Sequence, residues 1–122
     1  TIGRAAVRAL AARGHAVVYA VRPGALRAFE ELAGAQVRAC DVTAPQSLRA
    51  DGFAGERFDA LVSCLASRTG APRDAWAIDH AAHLGALAAA RTAGVRHFVL
   101  LSAICVQKPL LAFQQAKLAF EA

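Results

Sequence analysis

Apolar residues along this 122-residue chain fall at helical spacing in some stretches and in short continuous runs in others. The segment from Gly3 to Arg13 carries Val7, Leu10 and Ala11 at helical spacing, with Gly14 as a stop, and so predicts a helix. Ala16 to Val21 reads as an apolar strand with a valine pair, broken by Arg22-Pro23-Gly24. Leu26, Phe29 and Leu32 predict a second short helix ending at Gly34, and Gln36 to Cys40 a shorter strand. Thr43 is expected to cap a helix of one or two turns with Pro45 in its first turn. Asp59 to Leu65 predicts the next strand, and a polar loop follows from Ser67 to Arg73. A long helix is expected from Asp74 to Ala93, with Ile78, Ala82, Leu84, Leu87 and Ala88 as its apolar face and Gly94 as its end. Val95 to Ser102 has the continuous apolar character of a buried parallel strand, and a last helix begins near Leu110 and is still running at Ala122.

This alternation implies an α/β protein, a Rossmann-like doubly wound parallel sheet covered by helices. The chain opens on a helix without the strand that would feed it and stops within another helix. It is therefore expected to be incomplete, residues 1–122 forming a fragment of an NAD(P)-binding Rossmann domain that lacks the first strand and the C-terminal part. Such a piece would leave strand edges unpaired, a cost to stability.

Charge adds little to this picture. The net charge is +5 and the pI near 9.9, but the arginines are scattered along helices without forming a stripe, so nucleic acid is not an expected partner. Cys40, Cys64 and Cys105 are far apart and lack metal-ligand spacing, so they read as reduced thiols in a cytoplasmic protein, and no metal is expected. His15, His80, His83 and His97 read as surface or helix-packing residues. The most apolar run, Phe98 to Val106, is too short to span a bilayer; peripheral membrane association stays open.

Several residues are candidates for chemistry. Thr1-Ile2-Gly3 stands at a helix start, where a glycine permits close helix–strand packing and backbone N–H groups face a pyrophosphate. Arg22 follows the second strand of such a fold, where an arginine accommodates the 2′-phosphate of NADP; a solvated turn residue is the plain alternative. Asp41 beside Val42 suits either an adenine amino group or the capping of the next turn. Cys64-Leu65-Ala66 offers small and apolar side chains at a strand end, equally fit for a nearby ribose or for packing. Lys117 suits ribose hydroxyls and developing negative charge, against plain solvent exposure.

The stretch Ser102-Ala-Ile-Cys-Val-Gln-Lys-Pro-Leu-Leu-Ala-Phe-Gln-Gln-Ala-Lys117 resembles the catalytic side of a short-chain dehydrogenase/reductase, with Phe113 in the place of the usual tyrosine. A phenyl ring has no proton to give to a carbonyl oxygen. With Val62-Ser-Cys-Leu-Ala-Ser-Arg-Thr-Gly70 and Trp76-x-Ile-Asp79, the segment from His97 to Glu121 makes the chain similar to the NADPH-dependent divinyl chlorophyllide a 8-vinyl-reductase family of atypical short-chain dehydrogenase/reductases. The match is weaker before Asp41, and His80 stands where the family leads one to expect tyrosine. The resemblance implies NADPH as cofactor and reduction of a vinyl group of a tetrapyrrole to ethyl. It implies Thr1, Ile2, Gly3, Arg22, Asp41, Val42, Cys64, Leu65, Ala66 and Lys117 as cofactor contacts, and Lys117 and Ser102 as the catalytic pair. Arg68, Arg73 and Lys108 become candidates for a propionate carboxylate of the pigment. Phe113 becomes a candidate wall against its flat ring, with core packing as an equal alternative. A photosynthetic eukaryote would place such a protein in a plastid. The rival readings are another conjugated-substrate reductase of the isoflavone-reductase or NmrA-like group, and an NADPH-binding sensor or structural subunit without turnover.

Overall fold

A computed structural model describes residues 1–29, 34–104 and 107–122. The expected continuation of the second helix through Leu32, and the thiol of Cys105, lie outside the described residues. Helix α1 (Ile2–Ala12) starts on Thr1, whose hydroxyl accepts a hydrogen bond from the Arg4 N–H at 3.3 Å. It ends where Gly14 takes a φ of +86°, a left-handed conformation that costs a residue with a Cβ. Strand β1 (Val17–Val21) follows, and after a 3₁₀ helix (Pro23–Phe29) comes β2 (Ala35–Ala39). The two strands pair in parallel, Val17 opposite Ala35 and Val21 opposite Ala39.

A three-residue helix α2 (Pro45–Ser47) runs into a π-helical turn (Leu48–Phe53). Thr43 does not cap it. The residue that caps α2 is Ala44, one position later, which has no side-chain acceptor, and the Thr43 hydroxyl donates to Asp41 Oδ1 at 2.6 Å. Strand β3 (Ala60–Ser63) is followed by a helical run over residues 72–92. The run is built from α3 (Pro72–Ala75), a π-helical stretch (Trp76–Ala82) and α4 (His83–Thr92). It begins earlier than the periodicity predicts because Pro72, with its fixed φ, is suited to the first helical turn. Gly94 stops it at φ +77°. Strand β4 (His97–Leu100) pairs in parallel with β3, Ala60 opposite His97 and Ser63 opposite Leu100, and α5 (Ala112–Glu121) closes the described fold.

The strands form two parallel pairs, β1–β2 and β3–β4, in keeping with the expected incomplete Rossmann-like parallel sheet. A ladder requires neighbouring backbones about 4.8 Å apart, and among the described residues no ladder joins β1 or β2 to β3 or β4. Helix α1 packs on β1 and β2, with Gly3 approaching Cys64 just beyond β3, and α4 packs on α2 and on the π-helical turn that follows it.

One small apolar core joins Cys40, Leu48 and Ala89, with Val42, Phe53 and Ala86 packed around it. Beneath α5 the interior is polar, and Ser63, Asp79, His83, Gln114 and Lys117 are all buried. The apolar face expected for the long helix is thus only partly the buried one: Leu84 is 45 % exposed, whereas Asp79 and His83 are fully covered. The π-helical stretch carries Asp79 on the inward side, and α5 packs directly against that stretch. Small buried residues, Ala75 and Ala116, allow the close approach. Among the described residues no helix is long and apolar enough to cross a membrane.

Candidate functional site

A groove of about 410 Å³ opens beyond the carboxyl ends of β3 and β4, lined by residues 66–70 on one side and by Ser102, Ala103, Phe113 and Lys117 on the other. In parallel α/β folds this edge is where ligands bind, because the strand ends leave a crevice between the loops that follow them. Of the residues singled out in the sequence, Ala66, Arg68, Ser102, Phe113 and Lys117 meet here.

Two carboxylates hold the near wall. Asp74, at the start of the helical run, accepts from the Arg68 and Thr69 N–H groups and from the Thr69 hydroxyl at 3.0–3.2 Å. The Thr69 bonds, backbone first, hold its carboxyl below the usual carboxylate range. Asp79 Oδ2 accepts from the Ser67 N–H at 3.3 Å. The far wall is set by Gln114, whose amide oxygen accepts from the Leu110 and Leu111 N–H groups while its nitrogen donates to the Ile104 carbonyl at 2.9 Å. Ser102 is exposed, and its hydroxyl donates to the Glu121 carboxylate.

Lys117 is 3 % exposed, so the sequence alternative of a solvated lysine does not apply. Its Nζ donates to the Leu65 carbonyl at 3.2 Å and lies 3.2 Å from Asp79 Oδ1. That second contact is an ion pair whose alignment falls short of a hydrogen bond: among the described residues Oδ1 has no hydrogen-bond partner.

Beside this pair lies His83, fully buried. Its Nδ1 is 3.1 Å from the Ile78 carbonyl and 3.2 Å from that of Asp79. Carbonyl oxygens only accept, so Nδ1 carries the proton, and Nε2 accepts from the Ser63 hydroxyl at 2.7 Å. Burial, and then the nearby Lys117 charge, push the His83 pKa down. The folded state therefore resists a proton that the unfolded chain accepts near about pH 6.5. Folding stability is expected to be level above that pH and to fall as the pH drops below it. Asp41 and Asp74, whose pKa values are also lowered, lose their contribution only below about pH 4. Urea unfolding between neutral and mildly acidic pH measures the slope, and His83→Gln should remove it.

The other sequence-selected residues lie outside the groove walls. Gly3 stands at the N-terminus of α1, where an added Cβ would lie 3.7 Å from Cys64 Cβ, in ordinary contact. Arg22 is exposed directly after β1, and Asp41 follows the neighbouring β2. The Asp41 carboxylate accepts from both the N–H and the hydroxyl of Thr43, so it stabilises its own turn. Val42 packs against the apolar core. Arg73 and Lys108 are exposed and stand outside the groove walls, as do Arg22, Asp41 and Val42. Sequence reading missed the roles of Asp79 and His83. Trp76-x-Ile-Asp79 was visible as a motif, but nothing local in it announces a buried carboxylate.

The donors at the start of α1 and at the groove are of the kind that suits a dinucleotide. The first N–H groups of α1 lack intrahelical acceptors and carry the positive end of the helix dipole, Gly3 adds no side chain there, and Lys117 supplies an ammonium at the groove. A family model described as NAD(P)H-binding matches residues 1–120. The chain belongs to the NAD(P)H-binding family, a Rossmann-like class whose cofactor is a nicotinamide dinucleotide. Among curated proteins it is similar to the chloroplastic divinyl chlorophyllide a 8-vinyl-reductase of Oryza sativa subsp. indica, 51% identical over 98% of this chain and 32% of the relative. The enzymes of the same name from Zea mays (49% identical, 98% of this chain, 32% of the relative) and Arabidopsis thaliana (44%, 99% and 31%) are similar too. The chain thus spans about a third of the length of the curated relatives it matches. No solved structure matches it.

Proposed function

We propose that residues 1–122 are the dinucleotide-binding part of an NADPH-dependent reductase that converts the 8-vinyl group of a divinyl chlorophyllide to ethyl. The reading is supported most directly by one juxtaposition: Phe113 lines the same groove as Lys117 and Ser102. A tyrosine at that position would serve a carbonyl oxygen; phenylalanine leaves an apolar surface suited to an alkene on a flat macrocycle. The names of the curated relatives favour the same substrate, and their chloroplastic designation favours a plastid over the cytoplasm.

When bound, NADPH supplies the hydride. The residues of this chain bind and orient. The α1 N-terminus, Thr1 to Gly3, holds the diphosphate through its backbone N–H groups. Arg22 presents a planar guanidinium to the 2′-phosphate, and Asp41 with Val42 borders the adenine. Cys64, Leu65 and Ala66 border the nicotinamide ribose, whose hydroxyls receive the Lys117 ammonium. Ser102, at the opposite rim, orients the reacting end. Arg68 is the carboxylate partner of the pigment within the groove, with Arg73 and Lys108 on its approach.

The full-length protein given NADPH and divinyl chlorophyllide is expected to shift the pigment's blue-region absorption band as NADPH is consumed. Cofactor binding with an unchanged pigment spectrum would instead favour a sensor or structural subunit.

A further inference from the structure

We propose that Asp79 is a positioning residue that fixes the Lys117 ammonium at the wall of the groove, an inference that rests on the cofactor role given to Lys117 above. Lysine carries its charge on a flexible four-carbon stem, so a lysine that must meet one part of a ligand needs something to hold it. Here two acceptors from different elements do so: the Leu65 carbonyl, two residues past β3, and Asp79 Oδ1, on the π-helical stretch, each 3.2 Å from Nζ. An ammonium has three donors; one is engaged by the Leu65 carbonyl while Asp79 Oδ1 pairs with its charge, so donors remain for the groove that Lys117 lines.

The carboxylate is itself held. Asp79 is fully buried, and its other oxygen is occupied by the Ser67 N–H at the head of the loop that forms the opposite wall. His83, the other titratable group packed nearby, is engaged with Ser63 and with backbone carbonyls, which leaves Lys117 as the cation for Asp79. One carboxylate therefore sets the spacing between the 66–70 loop and α5, and with it the width of the groove at the lysine. A buried carboxylate is costly unless paired, and its retention beside the groove is accounted for by this orienting role.

The test compares NADPH dissociation constants, read from cofactor fluorescence, for the full-length wild type, Asp79→Asn and the double variant Asp79→Asn/Lys117→Met. Asp79→Asn is expected to weaken binding about tenfold, the scale of one hydrogen bond to a charged group that the misplaced ammonium no longer makes. The double variant should then bind no more weakly than Asp79→Asn, because the lysine has already lost its aim. Wild-type affinity in Asp79→Asn with a weakened double variant overturns the proposal, and so does a double variant far weaker than Asp79→Asn. If wild type itself does not bind NADPH, or both variants bind as tightly as wild type, the cofactor role of Lys117 fails instead. Should Asp79→Asn not fold, Asp79→Glu displaces the carboxylate by one methylene and keeps its charge; an unchanged dissociation constant there also overturns the proposal.

Discussion

Lys117→Ala is expected to destabilise the protein by about 3–5 kcal/mol, the range found when one partner of a buried ion pair is removed. The cost arises from what stays behind. Asp79 is fully covered, its Oδ1 has no hydrogen-bond partner among the described residues, and the ammonium at 3.2 Å is the charge that offsets its desolvation. Replacing both members of the pair should recover most of the loss, since no isolated charge then remains inside. Urea unfolding of the single variant and of Asp79→Asn/Lys117→Met separates the two effects. Turnover should also fall in Lys117→Ala, by about 10- to 100-fold if a hydrogen bond involving a charged group is lost at the cofactor. Unchanged turnover in a folded Lys117→Ala protein would remove the ammonium from the site.

Arg22→Ala is expected to weaken NADPH binding by about 10- to 100-fold while leaving NADH binding unchanged, again on the scale of a charge-assisted hydrogen bond. Arg22 begins where the β1–β2 ladder ends, immediately after the Val21 carbonyl accepts the Cys40 N–H at 3.0 Å. It is exposed, and among the described residues no carboxylate forms a salt bridge with it. Under the proposed reading, a guanidinium so placed would meet the extra phosphate of NADPH and gain nothing from NADH. Titrating both cofactors against wild type and variant isolates this contribution from any general effect on folding. Equal losses for the two cofactors would show that Arg22 supports the fold instead of reading the phosphate.

Strands β1, β3 and β4 were legible as short, mostly apolar runs, β2 as a short segment before Asp41, and Gly14 and Gly94 adopt the left-handed conformations that helix stops require. The chemistry of the groove was legible in part. Ser102, Phe113 and Lys117 belong to one segment, and a strand end followed by a helix brings them to one place. Thr43 illustrates a local failure: the residue suited a helix cap, but the helix starts one position later and its hydroxyl donates to the carboxylate of Asp41. The buried polar cluster illustrates a larger one. The sequence left His83 as a surface or helix-packing residue and Asp79 as part of a motif without a role, and only their partners show both to be interior. Those partners are Ser63, from β3, and Lys117, from α5.

By itself the sequence determined the α/β alternation, the cofactor class and the residues presented at the strand ends, because periodicity, turn chemistry and segment motifs act over a few neighbouring positions. Tertiary structure alone decided which polar groups became the interior, how the two strand pairs pack together, and where the lysine is held. Burial of a charge depends on a partner tens of residues away, and no local pattern encodes that distance.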